Sequence, residues 1–509
     1  MSVIARAATA RRPLPRVSGV PAVTVPDRAW EPGWLRVARR QAAAWVEAHG
    51  FPTTKHEDWR YTKIDAALDV PLDAAPTTDA APPADGAPTT DDTPSSDTAP
   101  TADDTPSSDT APTAGDTGTL QSVRALLDPG LGGIRVVVVN GRVVPTLSST
   151  FGPAPNGVRL ETLEDAVRPA DGDLEQLWSW RGDGYPHALR ALNDATTLDA
   201  LIIALPAGAV VAEPIEIVIV SAPAGIPRWS QPRVLVQAGE GARATLVETY
   251  VSVGGPSVTN ALTQVHLDAG SVLDHYVLQD ERLDCFHFSS LEARLGHRSR
   301  LSSRVLATGG RIGRHEVDVV FSGETAELAA DGLFLTGSGQ LHDNPVLVDH
   351  AATGCTSRQL YKGIVSGDGK GVFNGHIVVR PGADGTDAAQ VNKNLLLSER
   401  AEVDTRPRLE INASDVACTH GAAVGQLDPD ALFYLRSRGI DASDARAVLV
   451  SGFAREVLDR FGQGPVRRRA ERLAMAAGLV ALGDDRADLG VDRTLATEAA
   501  AARSGGPRT

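Results

Sequence analysis

The sequence predicts a mainly β protein, a parallel β-helix core flanked by N-terminal and C-terminal α-helical domains. Three observations carry that prediction. From about residue 131 to 427, short β-rich stretches follow one another, as in VLVQAGEGARATLVETYV, VHLDAGSVLDHYVLQ and VVFSGETAELAADGLFLT. Each has an apolar strand, a small-residue corner and a second, alternating strand. The corner glycines Gly241, Gly270, Gly296 and Gly323 lie 29, 26 and 27 residues apart. Such a period is long for a hairpin and leaves no room for crossover helices, so it fits one coil of a β-helix. Gly369, 46 residues further on, reads as two shorter turns, with Ser398 another 29 beyond. Finally, the clear helical patterns lie before and after this stretch. An antiparallel sandwich is the structural rival, because short strands with regular turns describe it too.

In chain order, residues 1–27 read as a flexible, basic N-terminus. The start, MSVIARAATARRPLPRV, lacks the apolar region of a secretory signal, although an organellar presequence is also Arg-rich. Residues 28–68 form an N-terminal helical domain. WLRVARRQAAAWVEAHG sets Trp34, Val37, Ala44, Trp45 and Val46 on a broad apolar face closed by Gly50. The segment KHEDWRYTKI then reads as a cap whose aromatics dock on the main domain. Residues 69–119 are a low-complexity linker in which DDTPSSDTAPTA occurs twice in succession. With almost no apolar side chains to offset chain entropy, it is expected to be disordered. Residues 120–200 lead into the core, taken as 201–427. The most apolar run, ALIIALPAGAVVAEPIEIVIV (200–220), is broken by Pro206, Glu213, Pro214 and Glu216. It therefore reads as two strands joined by a Gly/Pro turn, and no membrane span is expected. Residues 428–485 are a C-terminal helical domain. Asp428 caps, Pro429 takes the first helical position, and Gly439 ends the first helix. Ala445, Val448, Leu449, Phe453, Val457, Leu458 and Phe461 form the stripe of the next. A third helix with a basic start follows, and 486–509 reads as a flexible tail.

The formal net charge of −15 belongs mostly to one segment. Residues 73–118 hold ten Asp and no Lys, Arg or Glu, leaving the rest at about −5 and without a basic footprint for nucleic acid. The three cysteines, Cys285, Cys355 and Cys418, are too few for a disulfide framework and read as free thiols in a reducing cytoplasm. No phosphate loop, dinucleotide fingerprint, nucleophile elbow or HExxH helix is present, which weakens any enzyme reading. Acids such as Asp318, Asp331 and Asp343 are scattered and read as solvated.

Cys418–Thr419–His420 carries more chemistry. Residues two apart on a strand share a face, so thiolate and imidazole project together. Both suit zinc, iron or copper, yet two ligands do not close a tetrahedral site. The step is open to a metal half-site completed elsewhere, a nucleophile pair, or a satisfied core pair. Cys285–Phe286–His287 repeats it, so the step alone is unspecific.

The stretch TRPRLEINASDVACTHGAAVGQLDPDALFYLRSRGI resembles the signature of the SufD branch of the SufB/SufD family, subunits of the SUF iron–sulfur cluster assembly scaffold. The likeness extends to KHEDWRYTKI, VVVVNGRV, LNDA (192–195), CTSRQLYKG, VFNGHIVV and TDAAQVNKNLLLSERAEV, with departures at Gly354, Gly385 and Ala389. It implies a right-handed parallel β-helix between helical domains, in a non-catalytic scaffold subunit of a SufBCD complex. The β-helix would pair with a SufB paralogue, and the C-terminal helices would dock the ABC-type ATPase SufC, whose ATP-driven dimerisation would strain the heterodimer. A transient iron–sulfur cluster, or iron, would form at the SufB–SufD interface. His420 stands at the matching ligand position, with Cys418 beside it as an auxiliary ligand. Phe453, Val457 and Phe461 are the candidates on the docking or packing helix. On flavin the sequence is silent. The alternatives are a SufB-like or homodimeric cluster scaffold and, from a different class, a β-helix polysaccharide lyase or hydrolase, which would need paired acids in a cleft.

Overall fold

Two sheets, parallel except for antiparallel strands at their N-terminal ends, face each other along the molecule, and from Arg243–Ser252 onward the chain alternates between them strand by strand. The computed structural model describes residues 23–72, 123–124, 127, 131–149, 152–168, 173–179, 185–223 and 227–478. Most of the basic N-terminus, the acidic repeat and the tail lie outside the described residues. Among these residues, sheet one has ten strands and runs from Arg142–Val143 to Val416–Gln426; sheet two has eleven, with Glu402–Ile411 at the same end. The result is a β-solenoid of about eight turns. Register repeats coil by coil. Val236, Val265, Ala293, Val319, Val348 and Ile377 align in one column of sheet two. All six are buried between the sheets, where each large aliphatic contributes about 1.5–3 kcal/mol by leaving water. The apolar run at 200–220 supplies a strand to each sheet, Leu201–Leu205 to sheet two and Ile215–Ser221 to sheet one.

The corners show why the period is legible and where it misleads. Gly241, Gly270, Gly354 and Gly385 take the left-handed conformation in one corner row, and Arg298 and Thr325 take it in the same row without being glycine. Backbone bonds stack these corners, Gly241 N–H to the Ala269 carbonyl and Gly270 N–H to that of His297. The same row explains two departures from the resembled family, because Gly354 and Gly385 are held left-handed and donate to the Asp384 and Asp415 carbonyls. Gly369 and Ser398, however, lie in the opposite corner row, between Thr356–Val365 and Lys370–Val379 and between Thr386–Leu396 and Glu402–Ile411. The 46-residue step from Gly323 to Gly369 is therefore one and a half coils and not two, since each coil has two corners.

Helical segments cover the outer faces. The helix Gly33–His49 ends at Gly50 in the left-handed region. Its buried face is Leu35, Arg39, Ala42, Ala43 and Val46, whereas Val37 is exposed. The expected face was rotated because a buried arginine interrupts the apolar spacing; Arg39 Nη2 pairs with Glu31 at 3.0 Å. Trp59 packs with Trp229 and Phe288 on sheet two. There Arg314 stacks over Trp59 at 3.8 Å and pairs with Glu316 and Asp343, while Arg190 pairs with Asp194 and Glu292. Asp343 and Asp331 are buried ion-pair partners, of Arg314 and of Arg460, contrary to the solvated role expected of them. Sheet one is covered by the C-terminal helices Ala442–Leu458 and Pro465–Ala476, through Ala454, Val457, Leu458 and Val466 against Leu278, Leu306, Leu333 and Leu360.

Candidate functional site at the bare end of the solenoid

Among the described residues, the last coil has no successor. Val416–Gln426 pairs with Thr386–Leu396 on one side only, and Glu402–Ile411 pairs with Lys370–Val379 on one side only. Every residue of Val416–Gln426 is exposed or half-buried, although the sequence is no more polar than that of the covered strands. An exposed strand edge is a row of unpaired backbone donors and acceptors, a template for another strand.

Register fixes which way this coil points. In Thr386–Leu396, Leu395 is buried on the other face beside the C-terminal helices, whereas the buried positions Thr386, Ala388, Gln390, Asn392 and Asn394 face the interior. Their partners, Val416, Cys418, His420, Ala422 and Val424, therefore form the inner row of the uncovered coil. Cys418 packs beside Ile377, Val379, Ala388 and Leu409, and burial raises its thiol pKa. The His420 ring is exposed; among the described residues, none hydrogen-bonds or ion-pairs with it. No group of three or more His, Cys, Asp or Glu side chains among the described residues converges as a metal-binding set. The chain thus offers one imidazole and one adjacent sulfur on a surface a second molecule can reach.

The other Cys-x-His step is built differently. Cys285 is buried between Ser252 and Ser257 at 3.4 Å each, and burial pushes its thiol to about 11. His287 Nδ1 lies 2.7 Å from Glu281, and its ring rests on Tyr250 and His315. Cys355 is buried as well.

Of the helix candidates, Val457 and Phe461 are buried against sheet one and Phe453 is partly buried, its ring 4.3 Å from Lys362 Nζ. The structure does not bring them near Cys418 on the inner row. The exposed large apolar side chains of this region are instead Phe433 and Tyr434, 74% and 57% exposed on the helix Pro429–Ser437, and Ile411 and Val424 on the two terminal strands. Sequence reasoning read this segment only as a capped helix; which of its side chains stay uncovered depends on what packs against it, and no residue of Pro429–Ser437 is buried.

Comparison with known proteins places these features in a family context. A family model described as SUF system FeS cluster assembly, SufBD core domain, matches residues 219–453. The chain is similar to the iron–sulfur cluster assembly protein SufD of Escherichia coli, 30% identical over 413 residues covering 81% of this chain and 85% of that protein. It is similar to a SufBD family protein of Synechocystis, 31% identical over 340 residues covering 64% and 74% of the two chains. With the chloroplastic protein ABCI7 of Arabidopsis thaliana the identity is 34% over 310 residues, 59% and 62% of the two chains.

Proposed function

Because the chain belongs to the SufBD family of iron–sulfur cluster assembly proteins, we propose that it is a non-catalytic scaffold subunit contributing half of a cluster-building site. The observation that carries this reading is the bare terminal coil, whose inner row presents Cys418 and His420 with no further ligand gathered around them among the described residues. A SufB-type paralogue adding its own coil against this end would cover the unpaired edges and bring the missing ligands. Iron and sulfide are then cargo. His420 binds iron through a ring nitrogen, and the Cys418 sulfur stands beside it on the same strand face.

The power stroke falls to a SufC-type ATPase. Phe433 and Tyr434 support docking on the helix Pro429–Ser437, because they are large, apolar and exposed. The Phe453, Val457 and Phe461 stripe then serves as the lever, since it joins the C-terminal helices to the outer face of sheet one. No helix among the described residues is long and apolar enough to cross a membrane. Three unpaired cysteines support a reducing compartment, the cytoplasm.

The test is genetic and biochemical together. In a strain that depends on this pathway, His420→Ala is expected to abolish cluster maturation while the purified chain keeps its unfolding midpoint. Co-expression with SufB-type and SufC-type partners is expected to yield one complex, weakened by Phe433→Ala with Tyr434→Ala. Normal maturation by His420→Ala would remove the ligand assignment.

A further inference from the structure

The inner column that ends at His420 carries two amides immediately beneath it. In sheet one the aligned residues are Leu246, His275, Ser303, Ala330, Gln359, Gln390 and His420. The two coils beneath His420 thus carry glutamines, in a column whose other polar members, His275 and Ser303, lie further down the stack. Both are at least 97% buried, at 3% and 1% exposure. Gln390 Nε2 donates to Gln359 Oε1 at 2.9 Å, in the coil below. Among the described residues, Gln390 Oε1 has no hydrogen-bond partner, and neither has Gln359 Nε2. An unsatisfied buried amide oxygen costs about 1–3 kcal/mol, so its retention calls for a reason. A second feature shows that the carboxamide's place is reserved. On the facing sheet, a Cβ at Gly375 would overlap the Gln390 amide, so the glycine there leaves room for it.

We propose that Gln390 is the positioning residue for His420, its buried carboxamide receiving the ring N–H of the imidazole whose other nitrogen binds iron. The proposal rests on the reading of His420 as a ligand. A metal-bound histidine nearly always gives its second ring nitrogen a hydrogen-bond partner, which fixes tautomer and orientation. His420 lies in register above Gln390, whose nitrogen is tied to Gln359 below and whose oxygen is unclaimed. Gln359 holds Gln390 in turn, so two buried amides brace a ring that the surface leaves free. No other position on the inner row of the preceding strand is so placed, because Ala388 lies under Cys418 and Asn392 under Ala422.

The experiment measures ferrous iron binding, anaerobically, by the full chain in complex with its SufB-type partner. Gln390→Leu is expected to weaken His420-dependent iron binding 10–100-fold, and Gln390→Glu, which keeps an acceptor, to restore it to within about threefold of wild type. Gly375→Ala, which displaces the amide without removing it, is expected to reproduce the loss. It also serves as the second variant should Gln390→Leu fail to fold. In the metal-free chain at fixed pH, ¹⁵N-histidine spectra should show one His420 tautomer in the wild type and a mixture in Gln390→Leu, which a merely structural glutamine would not produce. If Gln390→Leu and Gly375→Ala bind iron like wild type while His420→Ala does not, the positioning role is overturned and the ligand role stands. If His420→Ala also binds like wild type, both fall.

Discussion

The two Cys-x-His steps of this chain, Cys285–Phe286–His287 and Cys418–Thr419–His420, are alike in sequence and opposite in circumstance. The first lies mid-solenoid, with coils stacked on both sides. Its thiol is held between two serines, and its imidazole is set against Glu281, whose carboxylate accepts from Thr259 and Gln279. The second lies on the last coil, where no strand follows and where no chain-internal partner reaches the imidazole among the described residues. The tripeptide does not decide between structure and chemistry. The number of coils above it does. Inside the stack a side chain has neighbours from coils on both sides, whereas the last coil leaves one side open, so groups that a second molecule can reach collect where the stack ends.

The comparison breaks most readily at His287. His287→Ala removes a buried ring packed against Tyr250, His315 and Glu281 and is expected to destabilise the chain by about 1–3 kcal/mol. His420→Ala, on the bare coil, is expected to stay within about 0.5 kcal/mol of wild type. Urea unfolding of the two variants side by side checks both figures, and equal losses would erase the distinction.

Acid sharpens the same contrast, because the buried interior holds histidines neutral. Burial lowers His342 and His350 to about 4, against about 6.5 in an unfolded chain. Between those values the unfolded chain binds more protons. The stability these two residues supply is therefore complete above about pH 6.5 and is lost as pH falls toward 4, by up to ~1.4 kcal/mol per pH unit for each histidine. Denaturation midpoints from pH 7.5 to 5 should fall accordingly, and His342→Gln should flatten the slope. A flat profile in wild type would show that these rings are not held neutral.

The smallest effect concerns the thiols. Under native conditions Cys418, only partly buried, is expected to be alkylated by iodoacetamide, whereas Cys285 and Cys355 wait for unfolding. Peptide mass spectrometry at short times reads the order. Modification of Cys285 first would contradict the packing described for it.

The coil repeat was legible because the left-handed corner recurs, and glycine fills it at Gly241 and Gly270. The helix limits at Gly50 and Asp428 were legible for a similar local reason, a cap with one good residue type. Where long-range charge intervened, sequence patterns misled. Arg39 sits in the middle of a buried helix face because Glu31 and the carbonyl of Thr197 receive it. Asp331 and Asp343 are buried because arginines from distant segments reach them. Cys418 and His420 could be placed on one strand face from spacing. That the face is the inner row of an uncovered coil, with Gln390 beneath, depends on register between strands about thirty residues apart, which no local pattern encodes.

The most direct test of a ligand at the bare end is spectroscopic. The complex is reconstituted anaerobically with iron and sulfide, with ¹⁵N-histidine incorporated in this chain alone, and the reduced cluster is examined by hyperfine spectroscopy. A ¹⁵N coupling from a directly bound imidazole, lost in His420→Ala, is the predicted result. A cluster that forms with no such coupling, or with one that survives His420→Ala, would contradict the account.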